Sequence, residues 1–355
     1  MFELSYKADV AGALDRVNAW WNCAVLDRPA VQVIAPAQHR REAPTKMFSS
    51  TQERWLDAEY VVARADAHIS STYFGGDILP MFMPNVGPDY AAASLGAPLS
   101  FGNDTSWSAP IVDDLDNTPE LKVDPCNRYV QAILEHTKVG LEVGKGKFLV
   151  GITDLHPGGD LAAALRDPQQ LCLDIADAPG RVHELMDRIR PVFYDLYRLQ
   201  DDLIMAAGQH VRTTWIPLYS TGRYYVPSCD FAALVSPRTF NEFFFHEIAE
   251  EVEWLDHSIF HLDGPDAVRH LDTLCSLKKL QAIQFVVGAG GGSVASWMHV
   301  FKRIQAAGKA MHISIDAAEL DEFMQSLHPE GVMLAMSAPS IEEAESIIKR
   351  VSCWT

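Results

Sequence analysis

Ser258-Ile259-Phe260-His261-Leu262-Asp263-Gly264-Pro265 reads as a short buried strand that ends in polar groups and stops at a Gly-Pro turn. Side chains alternate along a strand, so His261 and Asp263 share one face while Phe260 and Leu262 share the other. A histidine and an aspartate two apart at the end of an apolar strand cost free energy if they are merely buried. The spacing leaves two readings open. Either His261 donates to a backbone carbonyl and Asp263 caps the helix starting near Pro265, or the pair serves a metal, a proton in transit or a polar ligand. The place of this strand in the chain favours the second.

Upstream, Ala30–Pro36, Ala67–Phe74, Lys147–Asp154 and Val211–Leu218 are β-rich runs; downstream, Leu280–Val286, Gly308–Ile315 and Gly331–Ser337 are three more. Helical patterns separate them, among them Thr51–Arg64, Pro125–Val143, Pro179–Ala207 and a segment running to Leu255. Ser236-Pro237 opens that last segment with an N-cap serine and a proline at the first helical position. Ser340 and Glu343 suit a capping box for the final helix. Eight strands, each followed by a helix, predict a (β/α)8 TIM barrel in one domain over 1–355, with a long insertion after the second strand at about 75–123. That insertion is rich in Gly, Pro, Asn and Asp and suits a lid or active-site segment. The alternative is an open doubly wound sheet. Its phosphate-binding glycine pattern is absent, since the first strand ends in Ala35-Pro36-Ala37-Gln38. Gly288 to Gly292 lacks the lysine and hydroxyl of a P-loop and reads as a tight loop at the barrel mouth.

The 355 residues are 48% hydrophobic, ample for a full core, and carry a net charge of −18. Such an acidic chain is a poor partner for nucleic acid or an anionic membrane. The start, Met1 to Lys7, shows no basic segment leading into an apolar one, and no apolar run reaches membrane-spanning length. Six scattered cysteines without a Cys-x-x-Cys pair read as free thiols in a cytoplasmic protein.

Chemistry in a barrel collects at the C-terminal ends of the strands. There the sequence places His261, Asp263, Asp77 and His156 as catalytic candidates, with Trp215, Tyr219, Asp154, Gln284 and His312 as substrate contacts. Each has a plainer role as well: His312 a core histidine, His156 a turn residue before Pro157, Asp77 a turn or helix cap, the aromatics packing.

The chain resembles the uroporphyrinogen decarboxylase superfamily over most of its length. The likeness rests on Arg28-Pro29, Gly75-Gly76-Asp77-Ile78-Leu79-Pro80, Asp230-Phe231, Leu234 to Phe240, His261 to Pro265, and Gly308-Lys309. The resemblance implies the barrel, and either decarboxylation of porphyrinogens or zinc-dependent methyl transfer between corrinoid proteins and thiols. Asp77 matches the aspartate that holds pyrrole nitrogens in the decarboxylases. Their arginine-rich segment, Met-Arg-Gln-Ala-Gly-Arg, is replaced by Ile34 to Arg41, and their late Gly-His pair by Ala335 to Pro339. In the thiol-methylating branch zinc is bound by a His-x-Cys and a later Cys. His261 matches that histidine, whereas Asp263 replaces the first Cys and Ser337 stands near the second. A His/Asp site is harder than a thiolate site. It fits zinc or another divalent metal held by His261 and Asp263, with His312 or a water completing the shell; equally, it fits an acid-base pair without metal. The expectation is methyl transfer or demethylation of a small polar substrate, with the corrinoid supplied by a partner protein. The superfamily's habit adds a homodimer. The alternatives are a porphyrinogen or small-acid decarboxylase, another metal-dependent lyase or hydrolase, and a non-catalytic ligand-binding barrel.

Overall fold

β-Branched and aromatic runs bounded by Gly and Pro build the strands, and the helices lie between them. The computed structural model describes residues 3–288 and 290–355, so Met1 and Phe2, at the start of the chain, and Ala289, within the glycine-rich loop, lie outside the described residues. The strands are β1 (Ala30–Pro36), β2 (Thr72–Gly76), β3 (Met81–Phe82), β4 (Leu99–Phe101), β5 (Ser106–Ser108), β6 (Leu149–Val150), β7 (Tyr224–Tyr225), β8 (His257–Asp263), β9 (Ala282–Val286), β10 (Ala310–Ser314) and β11 (Val332–Ser337). Seven of them form one sheet in the order β2-β1-β11-β10-β9-β8-β7. From β1 to β7 every pairing is parallel, and only β2 runs antiparallel, against β1. β3 and β6 make a separate parallel pair, and β4 and β5 an antiparallel one.

This is an α/β fold on a parallel sheet, but among the described residues the sheet stays open between β2 and β7. The closed eight-strand barrel expected above is therefore not formed. Three strand assignments account for the difference. Ala67 to Ser70 belongs to the helix Ala58–Ser70, so only Thr72–Gly76 is extended, and it turns back along β1. Val211 to Leu218 forms no ladder beyond the single bridge Arg212↔Ser220, and the next parallel strand is β7. Lys147 to Asp154 contracts to β6. Isolated bonds continue the sheet direction: Leu149 N donates to the Pro80 carbonyl at 3.0 Å and Ile152 N to the Thr213 carbonyl at 2.8 Å. The 75–123 segment is not a bare lid, because it contributes β3, the β4–β5 pair and the helix Tyr90–Ser94.

The helix caps follow their signals, whereas the segment expected as one helix over Thr51–Arg64 forms two, Thr51–Leu56 and Ala58–Ser70, and the segment from Ser236 to Leu255 forms Pro237–Phe243 and Phe245–Trp254. Ser236 accepts from Thr239 N with Pro237 at the first position, and Ser340 accepts from Glu343 N. The long helix from Pro179 divides at Pro191, a residue that removes a donor and crowds the preceding turn. Along the central strands one face carries Val31, Val33, Phe260, Leu262, Ile283, Phe285, Ile313 and Leu334, all buried against the helices. The period of two puts Gln32, His261, Gln284 and His312 on the opposite face. That polar row is the floor on which the candidate site is built.

Candidate functional site

β8 runs parallel to β9 with His261 opposite Gln284, so the two side chains leave the sheet on one side. His261 Nδ1 donates to Gln284 Oε1 at 2.7 Å. That bond fixes the tautomer and leaves Nε2 with a free lone pair. The Trp215 ring stands edge-on to the imidazole, 5.0 Å between centroids. The plain reading of a histidine bonded to a backbone carbonyl is thus replaced by a side-chain pair. Asp263 occupies the N-cap position of the four-residue helix Gly264–Ala267, yet its side chain makes no capping hydrogen bond.

A third group joins them. β7 leads into Ser228, bridged to His261, and two residues later Asp230 reaches the same point. One ligand atom from each of Asp230, His261 and Asp263 lies within 4.8 Å of the others. Asp230 Oδ1 is buried without a hydrogen-bond partner. Two carboxylates, one with a buried oxygen that has no donor, and an imidazole with a free Nε2 fit a divalent ion. His312 is not part of this group. Its Nε2 donates to Gln32 Oε1 at 3.0 Å, while Gln32 Nε2 donates to the Pro217 carbonyl at 2.6 Å. His312 Nδ1 is left as a buried acceptor without a partner, and burial pulls its pKa down to about 4, so the ring is neutral.

Asp154 and His156 flank this centre. His156 Nε2 lies 3.4 Å from Asp154 Oδ2, and the Tyr225 hydroxyl is 3.4 Å from Asp154 Oδ1. Burial raises the pKa of Asp154, with Asp230 adding to the rise while His156 and His261 oppose it. Burial acts to lower His156, but Asp154, Asp160 and Asp230 outweigh it and raise the ring above its ordinary value. His156 also adopts a φ of 35°, in the left-handed region, a conformation that costs an ordinary residue about 1–3 kcal/mol and is met at functional sites. Asp160, in the first turn of the helix Gly158–Arg166, accepts from Asp230 N at 3.0 Å and Phe231 N at 2.8 Å. Burial and the neighbouring Asp230 push its pKa up to about 6.

A cavity of about 540 Å³ opens over the polar row; Gln32, Trp215, Gln284, His312, Ser314 and Ser337 are among its walls. Trp215, Gln284 and His312 thus line one cavity, and His261 adjoins it through its bond to Gln284 and its contact with Trp215. Asp230 and Asp263 meet at His261, and Asp154 and His156 feel the charge of that group. Asp77 and Tyr219 are not brought there. Asp77 is fully buried at the N-terminal end of β1, where its carboxylate accepts from Arg28 at 2.7 and 2.9 Å, Arg16 at 3.0 Å and Val31 N at 2.9 Å. The Tyr219 hydroxyl accepts from Leu79 N at 2.5 Å and donates to the Leu79 carbonyl at 3.3 Å, and its own carbonyl takes the Trp21 indole. Both are occupied in holding the fold. Asp230 and Asp160 received no role from the sequence; their signal was position, close after a strand or at the start of a helix on the same rim.

No family model matches the chain, and no curated protein matches it in sequence. Among solved structures its fold is similar to that of a methyltransferase from Methanosarcina mazei. The TM-score is 0.60 at 12% identity, over 96% of this chain and 98% of the other. At that identity the shared property is the fold. Among the described residues, no helix is long and apolar enough to cross a membrane.

Proposed function

We propose that the chain is a methyltransferase-type enzyme that binds a divalent ion through Asp230, His261 and Asp263 and acts on a small polar substrate. The observation that carries this reading is the meeting of those three groups at the C-terminal end of β8, in a fold similar to that of a methyltransferase. When bound, such an ion draws electron density from a coordinated heteroatom and eases its deprotonation. The chain's own residues do the rest. Gln284 holds the His261 ring in the tautomer that presents Nε2. His156 would accept the substrate's proton, and Asp154, 3.4 Å from its Nε2, would keep the resulting imidazolium beside a carboxylate. Trp215 supplies an apolar wall, and Gln32 and His312 orient polar atoms at the cavity floor. The methyl group would be exchanged with a corrinoid on a partner protein.

Metal analysis of freshly purified protein, wild type beside His261→Ala, tests the first half; loss of absorbance from methylcobalamin in the presence of small thiols and amines tests the second. Near-stoichiometric divalent metal that falls away in the variant, with methyl consumption only in the wild type, supports the reading. A metal-free wild type that consumes no methylcobalamin would overturn it. A second reading, metal-free proton chemistry of the carboxy-lyase kind, draws on the same Asp154–His156 pair and on the raised Asp160.

A further inference from the structure

A second cavity, of about 580 Å³, lies beside the helices Thr51–Leu56 and Ala58–Ser70. Four arginines line it, Arg40, Arg41, Arg54 and Arg64, with the rings of Trp55 and Tyr60 between them. The chain as a whole carries a net charge of −18, so four guanidinium groups in one hollow run against its trend. Their partners do not neutralise them. Arg41 pairs with Asp66 at 2.6 Å, but Asp66 also takes Lys147 at 3.4 Å. Arg54 donates to the Asn103 carbonyl at 2.6 Å, which leaves its charge uncompensated. Arg64 lies 5.8 Å from the centroid of the Tyr60 ring, and neither Arg40 nor Arg64 makes an ion pair among the described residues. Asp104 is the one carboxylate in the lining. Like charges gathered in a concave surface repel one another unless an anion joins them, and guanidinium forks match the oxygens of carboxylate and phosphate in pairs.

This hollow is not isolated. A cavity of about 430 Å³ adjoins it and shares Arg40, His68 and Ser71. The same cavity shares Ile34 and Ser337 with the one over Gln284 and His312. A trough thus leads past the C-terminal ends of β1 and β11 from the arginines to the polar row. Trp55 has its indole nitrogen committed to the Gly102 carbonyl at 3.0 Å, so it offers the hollow an apolar ring.

We infer that the arginine-lined cavity is an anion subsite for a ligand bearing a phosphate or several carboxylates. A ligand whose charged end sits among Arg40, Arg54 and Arg64 would extend along the trough. Only the placing of its other end over Gln284 and His312 rests on the function proposed above; the anion subsite does not.

The test is calorimetric titration of the full chain with inorganic phosphate and, separately, with tricarballylate at low ionic strength. Saturable binding of phosphate alone identifies a phosphate group; binding of tricarballylate identifies carboxylates. In either case Arg64→Gln is expected to weaken binding about tenfold or more, while His261→Ala leaves it unchanged. Arg54→Gln also breaks the bond to Asn103; if it does not fold, Arg40→Gln serves in its place, since that side chain forms no internal ion pair. The inference is overturned if neither anion binds at millimolar concentration, if Arg64→Gln and Arg40→Gln bind as the wild type does, or if His261→Ala abolishes binding. A metal-free protein that consumed no methylcobalamin yet still bound the anion through its arginines would sink the proposed function and leave this subsite standing.

Discussion

Replacing Asp77 by alanine separates a structural from a catalytic role for a residue that the sequence placed on the reactive rim. Its carboxylate receives four hydrogen bonds, three of them from arginine. Arg16 keeps Asp9 and Asp27 when Asp77 is lost, but Arg28, 11% exposed, keeps only the Pro29 carbonyl. Leaving a buried guanidinium unpaired costs about 3–5 kcal/mol. Unfolding entropy near the midpoint is about 2.1 cal/mol/K per residue. Over 355 residues that comes to about 0.75 kcal/mol/K, so a loss of about 4 kcal/mol lowers Tm by about 5 °C. Asp77→Asn keeps an acceptor for Val31 N but not the charge, and it is expected to fall between. Thermal unfolding followed by circular dichroism at pH 7 reads both, with the metal content of each variant measured alongside and unchanged. An unaltered Tm in Asp77→Ala would refute the reasoning, and an unaltered Tm combined with lost ligand binding would return Asp77 to the substrate.

The other expected outcomes are these. If the proposed ion is bound, Gln284→Ala frees the His261 ring without removing one of its proposed ligands, and it should weaken divalent-ion affinity about 10–100-fold in a competition titration, with Tm of the metal-free protein little changed. Glu247 is buried with both carboxylate oxygens unpartnered, and burial pushes its pKa up to about 8. The native state then holds a proton that the unfolded chain releases above its ordinary value of 4.5, so stability falls as pH rises from there towards about 8. Glu247→Gln removes that fall, and its Tm advantage over wild type should grow across this window; an advantage that shrank with rising pH would contradict the assignment. Gly76 sits at a φ of 64°, where an added Cβ would lie 2.2 Å from the Val31 carbonyl oxygen. Gly76→Ala should therefore lower Tm, in the same sense as Asp77→Ala beside it.

The legible strands are those in which apolar residues at every second position pack against the helices. β1, β8, β9, β10 and β11 satisfy this, and each forms within a few residues of its expected span. The misread strand at Ala67–Phe74 carries β-branched Ile69 and Thr72. Yet the buried positions Ala58, Val62, Asp66 and Ile69 keep helical spacing through Ile69, and that longer pattern prevailed. Val211 to Leu218 has strand composition, but Pro217 lacks a donor and the chain turns there instead of pairing. The same difference keeps Asp230 out of sight in the sequence. With β7 at Tyr224–Tyr225, residues 229–230 sit at a strand end on the rim; with the strand placed at 211–218, they fall in a loop. His261 and Asp263 were visible because they interrupt an apolar strand. The Asp230 contact was not, since sequence spacing carries no information on which loop crosses to which strand. Closure of the barrel failed as an expectation because hydrogen-bond registry between short strands depends on backbone geometry, which composition does not encode.

The polar contacts that hold the fold lie at one end of the parallel strands. Asp77 meets its arginines beside Val31, and Lys309 donates to the carbonyls of Leu277 and Leu280 just before β10. The metal-competent groups lie at the other end, on Asp263 and His261, roughly 20 Å away for a seven-residue strand. Such a chain can be retuned at its rim without renegotiating its foundations. Asp263→Cys would exchange a hard oxygen donor for a soft thiolate on an unchanged backbone and move the preference of the centre towards softer ions.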